Sequence, residues 1–246
     1  MPNNKKMADI QGQLLEYRCN GSGRPPIVLI NGAGGPMEGW YKIYPKLESI
    51  STVFAYNRPG IGGSGKPVCP QTGDRVIATL RALLNVSGLQ PPYLLVGHSI
   101  GGLYVNLFCR WFPEEVAGVV WLDATSPEDV LEISSARGAG QVFLENVLDF
   151  LFKRHENDEI MHIHKTVEQI HSSAAFPNIP HITISGGKPF WLMSEKVRAI
   201  RARNQQSLAG LSPQGKQLIA ARSGHLPQLS EPDLVVDAIR DVLILT

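Results

Sequence analysis

The run Gly97-His98-Ser99-Ile100-Gly101-Gly102 limits what this chain can fold into more than any other stretch. It follows the apolar segment Tyr93–Val96 and opens the helical pattern Ser99–Phe112, which stops at Pro113. A serine with glycines two before and two after it, at a strand-to-helix junction, is a G-x-S-x-G turn. Such a turn is sharp enough to strain its central residue. The flanking glycines remove side chains that would strike the adjoining strand and helix. The helix start then points free N–H groups at negative charge forming beside the serine.

The rest of the chain repeats this alternation. Leu14–Cys19, Ile27–Ile30, Thr52–Tyr56, Val116–Leu122, Ile182–Ser185 and Lys216–Ala221 read as further strands, and Asp74–Val86 and Pro232–Leu243 as helices. Within Asp74–Val86, Val76, Ile77, Leu80, Leu83 and Leu84 recur at helical spacing. Strands that are apolar throughout, separated by helices, predict an α/β fold with a mostly parallel sheet and helices on both faces. With 246 residues, 43% of them hydrophobic, the chain suits a single domain over residues 1–246. Residues 126–178 interrupt the alternation, being helical without a strand. One apolar stripe there is Phe143, Val147, Phe150 and Leu151, with Phe152 beside it, and another is Ile160, Ile163, Val167 and Ile170. Inserted between two strands, this segment predicts a helical cap over the end of the sheet.

A serine hydroxyl becomes a nucleophile only when a base takes its proton. Of seven histidines, His225 follows the last strand on a Ser-Gly-His-Leu-Pro loop, where it can reach the turn. His98 lies inside the turn, His155, His162, His164 and His171 fall in the cap, and His181 opens a strand. No acidic residue lies between Glu168 and Glu195, so the strand Ile182–Ser185 ends without a carboxylate. The preceding strand ends in Asp123, and strand carboxyl ends carry the site in an open parallel sheet. Asp123 also keeps the order Ser…Asp…His. Its competing role is to cap the helix that follows, and Asp129 and Glu195 stay open as the acid. An oxyanion needs two backbone donors. Ile100 N–H is one, and the turn Asn31-Gly32-Ala33-Gly34-Gly35 supplies the other, Ala33 before Gly34.

This set resembles the α/β-hydrolase superfamily, and its serine-esterase-like members in particular, over nearly the whole chain. Asn31–Gly35 is similar to that family's His-Gly oxyanion turn, with Asn31 at the His position. Asn57-Arg58-Pro59-Gly60-Ile61-Gly62-Gly63-Ser64 is similar to its Asp-Arg-Pro-Gly-x-Gly-x-Ser segment, with Asn57 for Asp. Val119–Pro127 resembles a subgroup pattern that implies the acid after this earlier strand. The reading is then a serine hydrolase of carboxylic esters in small to medium apolar molecules. Ser99, His225 and Asp123 form the triad, an acyl-enzyme forms on Ser99, and no cofactor is needed. A lyase or carbon–carbon bond hydrolase on the same scaffold is the alternative, as is a slow-turnover ligand receptor.

Composition narrows the partners. Lysine plus arginine is 23 against 22 aspartate plus glutamate, which argues against nucleic acid. Cys19, Cys69 and Cys109 lie too far apart for a disulfide framework or a zinc site, so a cytoplasmic, reducing location is expected. No apolar run approaches the ~18 residues of a membrane span, and the polar amino terminus predicts no signal peptide. Gly60–Gly65 fits G-x-G-x-x-G, yet Lys66-Pro67 prevents a helix from opening there, so a structural loop is expected. No metal is expected at His162, His164 and His171. Lys196, Arg198, Arg201 and Arg203 are expected on the solvent face of one helix. Oligomeric state, acyl length and stereopreference stay open.

Overall fold

The computed structural model describes residues 4–136, 158–188 and 193–246, built on one eight-stranded sheet. Its strands are β1 (Lys6–Ile10), β2 (Gln13–Asn20), β3 (Ile27–Ile30), β4 (Val53–Tyr56), β5 (Tyr93–His98), β6 (Val116–Leu122), β7 (His181–Gly186) and β8 (Gly215–Ala220). They lie in the order β1-β2-β4-β3-β5-β6-β7-β8. β2 pairs antiparallel with β1 and β4, and the other pairs are parallel. The described helices are α1 (Tyr44–Glu48), α2 (Gly73–Val86), α3 (Gly101–Trp111), α4 (Pro127–Ala136), α5 (Ile163–His171), α6 (Glu195–Ala209), α7 (Pro227–Ser230) and α8 (Pro232–Ile244).

The central strands read as unbroken apolar runs because both their faces are covered, and the pleat sorts alternate residues between two cores. Ile27, Leu29, Leu94, Val96, Val120 and Leu122 meet Leu47 of α1 and Val235, Ile239 and Val242 of α8. Val28, Ile30, Leu95, Val119 and Trp121 face the other way, toward α2, α3 and α5. β1 carried no apolar alternation in the sequence because it is an edge strand with mostly exposed residues. Its hairpin to β2 turns at Gln11 and Gly12, with φ of +54° and +85°, the positive pair that a tight two-residue turn requires.

Within the segment expected as a cap, α4 and α5 are helices, while Phe143, Val147, Phe150, Leu151, Phe152 and His155 lie outside the described residues. α5 belongs to the scaffold. Val167 and Ile170 are buried in the core, and Gln169 Nε2 donates to Asp74 Oδ1 at the start of α2 (2.7 Å).

The site is located by topology. β4 lies on one side of β3 and β5 on the other, so the turns leaving β3 and β5 open a crevice at their carboxyl ends. Gly101 closes that crevice from below. A Cβ there would lie 2.7 Å from the Asn31 carbonyl oxygen and closer still to that of Ile30. Both obstacles are backbone, so Gly101→Ala is expected to destabilise the fold by about 1–3 kcal/mol, read from urea unfolding midpoints. An unchanged midpoint contradicts the packing described.

Candidate active site

Ser99 sits at φ +52°, in the left-handed region that a residue with a Cβ rarely adopts. Its backbone is held on both sides. Ser99 N–H donates to Leu122 O (3.2 Å), while Ser99 O accepts from Gly102 N–H (2.9 Å) and Thr125 N–H (2.8 Å). Asp123, at the end of β6, also has positive φ (+38°), and its N–H donates to Ile184 O (2.7 Å). Two strained residues therefore stand at the ends of neighbouring strands, each hydrogen-bonded through its N–H to the next strand.

His225 stands between them. Its Nδ1 is 2.6 Å from Asp123 Oδ2, and its Nε2 is 3.0 Å from Ser99 Oγ. The loop that carries it is latched to the turn, because His98 Nε2–H donates to the His225 carbonyl (2.8 Å). The two imidazoles also lie 4.8 Å apart, centroid to centroid. Burial lowers the His98 pKa to about 4, helped by the neighbouring His225, so His98 is neutral near pH 7 and keeps its donor role. Burial works against ionisation of Asp123. The hydrogen bond from His225, the charge of Arg201 and the Gly186 N–H outweigh it and bring that carboxyl down to about 2.

The other acids lie elsewhere. Glu195 begins α6 on the exposed side. Asp129 is buried, and it caps α4 reciprocally with Ser126: Ser126 N–H donates to Asp129 Oδ2 and Asp129 N–H to Ser126 Oγ, both 3.0 Å. The capping role weighed for Asp123 thus falls to Ser126 and Asp129.

Arg201 is not on a solvent face. Its guanidinium spans Asp123 Oδ2 (3.1 Å) and Asp129 Oδ2 (2.8 Å), with a side chain 16% exposed. The expectation of a solvent face holds for Lys196, Arg198 and Arg203, which are exposed, and fails for Arg201. Arg201, Asn204 and Gln205 actually share the buried face of α6 with Val197, Ile200 and Leu208, an i, i+3, i+4 pattern hidden by its polar members.

The turn after β3 closes through Gly35 N–H to Gly32 O (3.2 Å), leaving Ala33 and Gly34 exposed beside Ser99. A Cβ on Gly32 would lie 2.9 Å from His98 Nδ1 and 3.0 Å from Ser99 Cβ, which is how closely this turn approaches the serine. Ile100 N–H heads α3 directly after Ser99. The segment after β4 supports the turn from behind. Arg58, 3% exposed, donates from Nη1 to Asn31 O (2.7 Å) and from Nη2 to Gly32 O (2.6 Å). Its other side meets buried Glu159, which also accepts from Tyr104 OH (3.2 Å). Asn57 is fully buried: its Oδ1 accepts from Met37 N–H (2.7 Å) while its Nδ2 donates to Glu16 Oε2 (2.6 Å). An aspartate there would set two carboxylates together, which explains the departure from the Asp-Arg-Pro-Gly pattern.

The remaining glycine motif is structural: Gly63 N–H donates to Glu16 Oε2 (3.0 Å), and no helix begins until Gly73. Among the described residues no group of three or more His, Cys, Asp or Glu side chains is placed to hold a metal ion, and no helix is long and apolar enough to cross a membrane. His164 and His171 lie on α5 and His162 just before it.

A family model described as alpha/beta hydrolase fold matches residues 25–180. The chain is 27% identical over 227 residues to the uncharacterized protein YqjL of Bacillus subtilis, covering 90% of this chain and 85% of that protein. A (lyso)-N-acylphosphatidylethanolamine lipase of Mus musculus is 27% identical over 104 residues, 41% of this chain and 30% of the lipase. Among solved structures, an alpha/beta hydrolase fold protein from Burkholderia ambifaria superposes with a TM-score of 0.72, at 19% identity over 98% of each chain. At that identity the likeness is one of fold.

The buried His98 gives a pH dependence with a definite sign. Its folded-state pKa of about 4 lies below the ordinary value of 6.5, so the folded state resists its protonation. Stability held above pH 6.5 is therefore lost as pH falls from 6.5 toward 4, by up to about 3 kcal/mol from this group. His98→Gln, which keeps a donor for the His225 carbonyl and does not titrate, is expected to flatten that slope in melts run from pH 8 to 4. An unchanged slope would show that His98 is not the group concerned.

Proposed function

We propose, from the premise that this chain belongs to the alpha/beta hydrolase family, that it is a serine hydrolase of carboxylic esters or related acyl bonds. The observation that carries this reading is the unbroken line of hydrogen bonds from Asp123 through His225 to Ser99. Ser99 Oγ attacks the carbonyl carbon while His225 Nε2 takes its proton. Asp123, ionised far below neutrality, holds Nδ1 and stabilises the imidazolium without accepting the proton itself. The Ile100 and Ala33 N–H groups receive the oxyanion at the start of α3. His225 then protonates the leaving alcohol, and water activated by the same imidazole releases the acyl group and restores Ser99.

The substrate class is read from the charges around the turn among the described residues. Arg58 is the buried cation behind it, and its guanidinium is taken up by two carbonyls and Glu159. This favours an uncharged ester over an anionic one. Of residues 126–178, read as a cap, α5 belongs to the scaffold, and the part between α4 and α5 is proposed to receive a small to medium acyl group.

Ser99→Ala is expected to lower turnover of p-nitrophenyl acetate or butyrate at least ~10³-fold. Activity retained in that variant removes the mechanism. Asp123→Asn should cripple turnover to a similar degree, whereas Glu195→Gln should leave it at the wild-type level; the reverse result moves the acid.

A further inference from the structure

The carboxylate beside His225 sits in an unusual mechanical position. Asp123 ends β6 with a left-handed backbone, and its side chain is fixed by little of its own element. Gly186 N–H reaches Oδ1 at 3.2 Å from β7. The rest of its support comes from α6. Arg201 Nη2 donates to the Asp123 main-chain carbonyl (3.2 Å) and lies 3.1 Å from Oδ2, the oxygen that His225 Nδ1 also uses. Arg201 Nη1 bonds Asp129 Oδ2 (2.8 Å) and reaches Ala124 O (3.4 Å), while Gln205 Nε2 donates to Ala124 O (2.5 Å). One planar guanidinium therefore grips both ends of a strained residue and is itself aimed by a second, buried carboxylate. A lysine ammonium, a point charge without the fork, cannot hold all four oxygens at once.

We propose that Arg201 is a positioning residue of the hydrolase, fixing the Asp123 carboxylate against His225 and setting the lower pH limit of activity. The proposal rests on the Ser99–His225–Asp123 reading above. Its positive charge shares Oδ2 with His225, so it withdraws part of the field that stabilises the imidazolium formed when Ser99 gives up its proton. Among the described residues, the other titratable or charged groups at this cluster are Asp129 on α4 and His98 on β5, with Arg58 behind the serine turn. His98 is neutral over the working range. Asp129 lies on the far side of Arg201 from Asp123, so loss of the guanidinium dominates any change at His225.

The test uses the full chain, with p-nitrophenyl butyrate as substrate and a fluorophosphonate label on Ser99. Arg201→Met alone would bury an unpaired Asp129, so it is combined with Asp129→Asn; Arg201→Lys is examined separately. The double variant is expected to lose at least about tenfold in kcat with KM little changed. The acid limb of its pH profile should move up by about half a unit or more. Arg201→Lys is expected to hold that limb at the wild-type pH, because the charge remains, while losing part of kcat, because the fork does not. Wild-type kcat and an unmoved limb in the double variant overturn the proposal, even if melting temperatures fall. If the double variant does not fold, Arg201→Lys decides alone: wild-type kcat in it overturns the proposal, and reduced kcat with an unmoved limb supports it. Wild-type protein that takes no label at Ser99 rejects the parent reading, and this proposal with it. Normal labelling with unchanged variants rejects only the role of Arg201.

Discussion

Gly101 lies against the carbonyl oxygens of Ile30 and Asn31 with no room for a methyl group, and that approach of α3 to the end of β3 organises the carboxyl edge of the sheet. It brings the turn carrying Ala33 against the turn carrying Ser99. It leaves Ser99 no conformation but a left-handed one, and it sends the first N–H groups of α3 toward the space between the turns. The cost is backbone strain of order 1–3 kcal/mol at a residue such as Ser99 or Asp123. Hydrogen bonds to Leu122 O and Ile184 O and from Thr125 N–H and Gly102 N–H offset it. Strain and its restraint are thus shared between strands that neighbour each other only in the folded chain.

Two ionic clusters, one buried around Arg58 and one partly buried around Arg201, hold the turns at the carboxyl edge of the sheet. Arg58 with Glu159 and Tyr104 supports the turn after β3, while Arg201 with Asp123 and Asp129 supports the turn after β6. Neither cluster is an economical way to stabilise a core. Desolvating such charges offsets most of their attraction, whereas removing one partner costs about 3–5 kcal/mol because the other is left bare. Their value lies in direction. A guanidinium that must satisfy several oxygens at once has one place to be, and it fixes those oxygens in return.

The fold was legible in the sequence where chemistry repeats locally. Apolar strands bounded by glycine, the 3.6-residue spacing of Asp74–Val86 and the glycine-flanked serine each depend on neighbours in the chain. Ser99 and Asp123 directly follow β5 and β6 and His225 lies on the loop after β8, positions that local sequence alone could mark as candidates. Legibility failed where the partner was distant in sequence. Arg201 looked like solvent surface because its partners lie more than seventy residues away on α4 and the β6 turn. Asn57 looked like a departure from a motif until Glu16 was found against it. Single positions in a helix or a loop do not announce which carboxylate they will meet.

The segment between β6 and β7 is fastened at both roots. Asp129 and Ser126 tie its start to α6 through Arg201, and Glu159 ties its return to the β3 turn through Arg58. The two roots therefore share their anchors with the turns after β3 and β6, so a change at Arg58 or Arg201 reaches the segment and the sheet edge together.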